Sequence, residues 1–129
     1  MRMISFHNLT LDPKIPVYQQ IGEYVKRQVL LGNAEDGDVL PSRREIATIL
    51  KVNLNTVQKA FRLLEEEGLI VTGKNAPSRL SISEKMEEEI RGEMTSGLVA
   101  DFIRKAKENH LSFKKTVELL SELWEEEDS

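Results

Sequence analysis

Between residues 42 and 59 the chain gathers side chains suited to reading a nucleic acid. Arg43 and Arg44 come first, then Asn53, Asn55, Thr56, Gln58 and Lys59 in one short run. An amide both donates and accepts, so it can pair bidentately with adenine. A threonine methyl suits the thymine methyl, and a guanidinium suits phosphate or guanine. No comparable grouping for catalysis appears. There is no Ser/His/Asp, Cys/His or phosphate-loop constellation, and the carboxylates lie in solvated helical runs. His7 and His110 are far apart with no ligand-like neighbours, and cysteine is absent, which excludes disulfides and thiolate sites. A non-enzymatic protein with no cofactor and no metal is the expectation.

The residues around this run are those needed to hold it. Ser42 and Glu45 have the spacing of a capping box, which starts a helix whose buried side is Ile46, Ala47, Ile49 and Leu50. Lys51 and Val52 make a turn, and Asn53 is a good N-cap for the next helix. There Val57, Ala60, Phe61 and Leu64 share a face, and at 100° per residue Asn55, Lys59 and Arg62 point nearly opposite. Gly68 stops that helix as a left-handed residue. Stretches 69–72 and 79–83 read as two strands of a hairpin joined by Gly73-Lys74-Asn75-Ala76-Pro77-Ser78. Upstream, Val17, Tyr18, Ile21, Val25 and Val29 form the apolar stripe of a helix over 16–31, with Pro16 in its first turn. Gly32-Asn33 ends it, and an acidic loop with Gly37 follows over 34–39. Residues 1–15 read as an irregular arm in which Ile4 and Phe6 alternate as a short edge strand. Three helices and a hairpin make a winged helix-turn-helix, a DNA-binding domain over residues 1–83.

Residues 84–129 change character. Met86, Ile90, Met94, Leu98 and Phe102 recur every four residues, widened by Val99, Ile103 and Ala106, and interrupted by Gly92 and Gly97. Each glycine costs about 1 kcal/mol relative to alanine inside a helix, and Gly97 suits close approach of another backbone. A last helix begins near Ser112 and carries Phe113, Val117, Leu120, Leu123 and Trp124, before a solvated acidic end over 125–128. Two helices enclose little core, so this hairpin is expected to pack on a copy of itself or on the first domain. The expected dimer seam is Met86, Ile90, Met94, Leu98, Phe102, Phe113, Val117, Leu120 and Trp124. An effector pocket among Met86, Met94, Phe102, Phe113 and Trp124 is the weaker reading of the same stripe.

Bulk composition fits a small globular protein. Of 129 residues, 40% are hydrophobic and 31% charged, and the net charge is −4. The acid is unevenly placed: residues 1–78 carry 10 basic and 9 acidic side chains, residues 79–129 carry 8 and 13. Docking on DNA follows a local basic patch rather than the whole-chain balance. Apolar runs are too short for a membrane span and the first residues lack a signal-peptide block, so a cytoplasmic location is expected.

The motifs P-V-Y-Q-Q-I at 16–21, L-P-S-R-R-E-I-A at 40–47, N-T-V at 55–57 and E-E-G-L-I at 66–70 resemble the GntR family of bacterial transcription regulators. The short two-helix C-terminus and the V-N-x-N-T-V turn are similar to its YtrA-type subgroup. The resemblance implies a homodimer on a short palindromic operator, usually a repressor released by a small-molecule effector, and in this subgroup control of ABC-type transporter genes. It implies a DNA contact for Arg44, which matches the arginine of the family's P-S-x-R motif with Ser42. Arg43 stands at a variable position and suits a phosphate; Asn53 serves equally as cap or contact. Gly73, Lys74 and Arg79 fall on the wing. Two departures stand out. Asn53-Leu54 replaces the Ser-Arg or Asn-Pro that precedes N-T-V in relatives, which predicts readout by amides. The wing lacks the second glycine and the aromatic of the usual G-x-G pattern. With the acidic total, that leaves a rival reading: a winged helix used as a protein-interaction module.

Overall fold

The computed structural model describes residues 2–127, with the side chain of Glu127 and all of Asp128 in the acidic end outside the description. Five helices and one hairpin follow in order: α1 (Val17–Leu30), α2 (Arg43–Leu50), α3 (Leu54–Glu66), β1 (Ile70–Thr72), β2 (Ser78–Leu80), α4 (Glu84–Glu108) and α5 (Phe113–Glu127). The fold is a winged helix-turn-helix followed by two helices. It divides into two compact units, Met1–Arg91 and Gly92–Ser129, with the division falling inside α4.

In the first unit the local signals act as their chemistry requires. Ser42 Oγ accepts from the Glu45 N–H at 3.1 Å while the Glu45 carboxylate accepts from the Ser42 N–H at 3.4 Å, so α2 starts with both halves of its capping box. Lys51 ends α2 in the left-handed region at φ 57°, which turns the chain sharply into α3. Asn53 then caps α3, its Oδ1 accepting from the Asn55 N–H at 2.7 Å. Gly68, at φ 78°, closes α3. This conformation is nearly free for glycine and costly for other residues.

The core is built by α1, α2, α3 and the hairpin, with Ile21, Ile46, Val57, Phe61, Leu64, Ile70 and Leu80 essentially removed from water. Burying such side chains stabilises by about 1.5–3 kcal/mol each. The N-terminal arm, expected to be irregular with a short edge strand, belongs to this core. Phe6 is completely buried and Ile4 nearly so. The phenol of Tyr24 donates to the Ser5 carbonyl at 2.7 Å, and the Phe6 and Tyr24 rings lie 5.2 Å apart. The expected edge strand reduces to a single bridge: Met3 pairs in parallel with Val39, which pairs antiparallel with Arg79 on its other side. Val39 thereby ties the arm to the wing, through N–H donation from Val39 to Arg2 O and from Ile4 to Val39 O, each 2.9 Å. Arg2 strengthens the tie with an ion pair to the buried Asp38 at 3.3 Å.

The hairpin pairs Ile70 with Leu80, Val71 with Arg79 and Thr72 with Ser78. Its second strand starts at Ser78, earlier than the expected 79, because the Thr72 and Ser78 hydroxyls bond each other at 2.6 Å. It also ends earlier than 83, because the Ile82 N–H turns to the Asp36 carboxylate at 2.8 Å. In the wing loop, Asn75 takes a left-handed φ of 55°. Asn75 stands where a second glycine would complete G-x-G, and asparagine tolerates that region best among side-chain-bearing residues.

In the second unit no apolar residue among those described is fully buried. Leu98, Phe113 and Trp124 are 72%, 85% and 70% exposed, and Val99, Phe102, Ile103, Val117, Leu120 and Leu123 are exposed too. Phe102, Leu111, Thr116, Leu119, Leu120, Leu123 and Trp124 line an apolar cleft of about 310 Å³. Ser112 starts α5, its Oγ accepting from the Lys115 N–H at 3.1 Å. Of the expected seam residues, Ile90 lies before the division and is buried within the single chain. Among the described residues no helix is long and apolar enough to cross a membrane.

Candidate nucleic-acid interface

The helix-turn-helix presents α3 with its core side down. Val57, Ala60, Phe61 and Leu64 are buried, whereas Asn55, Gln58, Lys59 and Arg62 are exposed. Among the described residues the side-chain amides of Asn55 and Gln58 make no hydrogen bond. Their donors and acceptors therefore remain available for a base edge. Thr56 is half-buried at the first turn of the same helix. Asn53 spends its carbonyl oxygen on the cap, which leaves only its amide N–H groups for another partner.

The two arginines of α2 diverge. Arg44 is exposed, and its guanidinium has no hydrogen-bond or ion-pair partner among the described residues. Arg43 is already engaged: its Nη2 lies 3.0 Å from Glu65 Oε1, and its guanidinium carbon stacks 4.6 Å above the Phe61 ring centre. The same Glu65 oxygen accepts the Thr72 hydroxyl at 3.0 Å. A polar chain thus runs from the first turn of α2, across the end of α3, to both wing strands. The phosphate role expected for Arg43 meets a competing carboxylate in place. Ser42 likewise commits its hydroxyl to the capping box.

On the wing, Lys74 is exposed and has no ion pair among the described residues. Arg79 differs: it is half-buried and its Nη1 donates to the Gly37 carbonyl at 3.3 Å, which fastens the wing to the acidic loop. Gly73 is exposed, and a Cβ there would meet Ala76 at an ordinary 3.5 Å, so packing does not demand glycine. The structure therefore brings Arg44, Asn55, Gln58 and Lys59 forward with groups to spare, and gives Ser42, Arg43, Asn53 and Arg79 duties inside the fold.

Two participants have no binding signature in the sequence. Tyr18 of α1 sits under Lys59, whose Nζ is 3.9 Å from the ring centre. Glu65 organises Arg43 and Thr72. Tyr18 carried only a core-stripe signal and Glu65 only an acidic-run signal. Among the described residues no three His, Cys, Asp or Glu side chains gather as a metal site. Burial raises the Tyr24 phenol above the ordinary 10.0.

Comparison with known proteins agrees with this arrangement. Residues 17–80 match the family model described as bacterial regulatory proteins, gntR family. The chain is 40% identical over 89 residues to the HTH-type transcriptional repressor YtrA of Bacillus subtilis (strain 168), an overlap of 67% of this chain and 68% of that protein. Its fold is similar to a GntR family transcriptional regulator from Listeria monocytogenes, with TM-score 0.76 and 29% identity over 87% of this chain and 98% of that one. It is also similar to YtrA from Sulfolobus acidocaldarius, a GntR-family transcription factor, with TM-score 0.55 and 35% identity over 74% of this chain and 99% of that one. With its motif matched, its winged helix formed and its overlap reaching both YtrA proteins, the chain belongs to the GntR family of bacterial DNA-binding transcription regulators and is YtrA-like.

Proposed function

We propose that the chain is a cytoplasmic, homodimeric repressor of a short palindromic operator. The observation that carries this reading is the exposed edge on which Arg44, Asn55 and Gln58 keep their hydrogen-bonding groups unused. Arg44 takes guanine or phosphate, and the two amides read adenine edges. Lys59 and Lys74 add phosphate contacts, which give affinity and its salt dependence. The name of the Bacillus subtilis relative supports repression rather than activation.

Dimerisation falls to the helices after residue 84. The exposed stripe of Leu98, Phe102, Val117, Leu120 and Trp124 supports it, because an uncovered apolar surface of this extent marks an interaction site. Two joined copies would present their α3 helices to successive major grooves, about 34 Å apart. A small-molecule effector would act by favouring one arrangement of the two heads over another. An ABC-type transporter operon is the target class implied by the resemblance to YtrA-type regulators.

The test is selection of bound duplexes from a random DNA library, followed by titration of the selected duplex at two salt concentrations. A two-fold symmetric motif with salt-dependent affinity is expected. Arg44→Ala then weakens binding by about 1–3 kcal/mol with an unchanged melting temperature. Absence of any enriched motif would favour the protein-interaction module instead.

A further inference from the structure

Two cations of the helix-turn-helix, Arg43 of α2 and Lys59 of α3, each lie on an aromatic ring. Arg43 covers Phe61 at 4.6 Å and is held by the Glu65 carboxylate at 3.0 Å, so its charge is offset within the fold. Lys59 covers Tyr18 at 3.9 Å and has no carboxylate partner among the described residues. The difference is one of electrostatics. A ring attracts a cation through its quadrupole and carries no net charge. The ammonium on Tyr18 is therefore ordered yet keeps its full unit charge and its N–H donors. A carboxylate partner, by contrast, would have to be displaced before a phosphate could bind.

We propose that Tyr18, which lies on α1 outside the helix-turn-helix, is a positioning residue for DNA binding. Its ring holds the Lys59 ammonium in place for a backbone phosphate of the duplex that α3 reads. A free lysine has four flexible bonds to order on contact, and a pre-ordered one loses less freedom when it binds. Lys59 lies on the same exposed side of α3 as Asn55, so a phosphate held there fixes the register of the amides along the groove. The inference rests on the DNA-binding reading above and adds a residue to it.

The experiment uses the full chain and a duplex of about 30 base pairs carrying the motif selected by the wild type. Tyr18→Leu removes the ring and should weaken binding about two- to five-fold. Lys59 keeps its charge in this variant, so the slope of log K against log salt should become shallower by at most about 0.9, the value for one lost phosphate contact. Tyr18→Phe keeps the ring and should restore both quantities. Lys59→Gln should reproduce the loss, and Tyr18→Leu added to it should cost nothing more. Wild-type affinity and slope in Tyr18→Leu, or losses that add in the double variant, would overturn the proposal. If Tyr18→Leu does not fold, the free wild type still decides by proton NMR. The Lys59 side-chain protons next to Nζ should be shifted upfield by the ring, and shifts of an ordinary solvated lysine overturn the proposal. A wild type with no salt-dependent binding to any duplex overturns the DNA reading itself, an outcome visible before any variant is made.

Discussion

The two units of the chain handle the same kind of residue in opposite ways. Up to Arg91 most of the large apolar side chains form an enclosed core, from Ile4 and Phe6 in the arm to Ile90 in α4. From Gly92 onward, not one apolar side chain among the described residues is buried, although Phe102, Phe113 and Trp124 are as hydrophobic as anything in the first unit. The first unit therefore has what an autonomous fold needs. The second has helix-forming sequence and good caps but no interior, and short isolated helices are marginal in water. The contrast teaches that the stability of the first unit should be a property of the single chain, while that of the second should depend on what covers it.

The largest effect should come from breaking the first unit at its least anticipated point. Phe6→Ala removes a fully buried ring and should cost about 3–5 kcal/mol. Denaturant unfolding followed by tryptophan-independent circular dichroism would measure it, and the loss should not vary with protein concentration. A loss under about 1 kcal/mol would mean that the arm is an accessory, and the core would have to be redrawn without it.

Leu120→Glu attacks the other side of the comparison. It places a charge in the apolar cleft of the second unit, where the side chain is already exposed in a single copy. The first unit should keep its unfolding midpoint. The proposed dimer should fall apart in analytical ultracentrifugation, and binding to a full palindrome should weaken about 10²–10⁴-fold as bivalency is lost. A variant that stays dimeric would move the seam elsewhere.

These two experiments also mark how far the sequence could be read. Helix starts and stops were legible because they depend on neighbours in the chain. The Ser42–Glu45 box, the Asn53 cap and the Gly68 stop each span only a few residues. The exposed edge of α3 followed from helical periodicity in the same way. What stayed hidden depends on distant partners. Ile4 and Phe6 form too short an alternation to reveal burial, and their cover comes from Tyr24 and Val39. The motif match already set Arg44 apart from Arg43, but not the fact that Arg43 is engaged inside the fold. That engagement depends on Phe61 and on Glu65, 22 residues away. The missing wing glycine was visible, but that Asn75 adopts the left-handed conformation in its place was not.

A smaller effect sharpens the description of the arm. Tyr24→Phe deletes the bond to the Ser5 carbonyl and should cost about 0.5–1.5 kcal/mol near neutral pH. The pH dependence carries a definite sign. Burial raises the folded-state pKa of Tyr24 above 10.0, so the protonated phenol is favoured in the folded protein. That contribution is complete below pH 10 and is lost as pH rises through the folded value, because the unfolded chain ionises first. Wild type should therefore lose stability in that alkaline window faster than Tyr24→Phe does. Equal slopes in the two proteins would remove Tyr24 as the cause.

The smallest expected effect separates helix propensity from interface geometry within α4. Gly92 and Gly97 are both exposed, and an added Cβ at either would meet nothing within 4 Å. In a single chain, each change to alanine should stabilise by about 0.4–1 kcal/mol, since alanine loses less backbone freedom on entering the helix. A second copy packed closely at Gly97 would reverse the sign there, because the new methyl would meet the partner's backbone. Gly92→Ala should then raise the melting temperature, while Gly97→Ala lowers it and weakens dimerisation. If both variants are stabilised and equally dimeric, the partner does not approach at Gly97. The seam would then be confined to the side of α4 carrying Leu98 and Phe102.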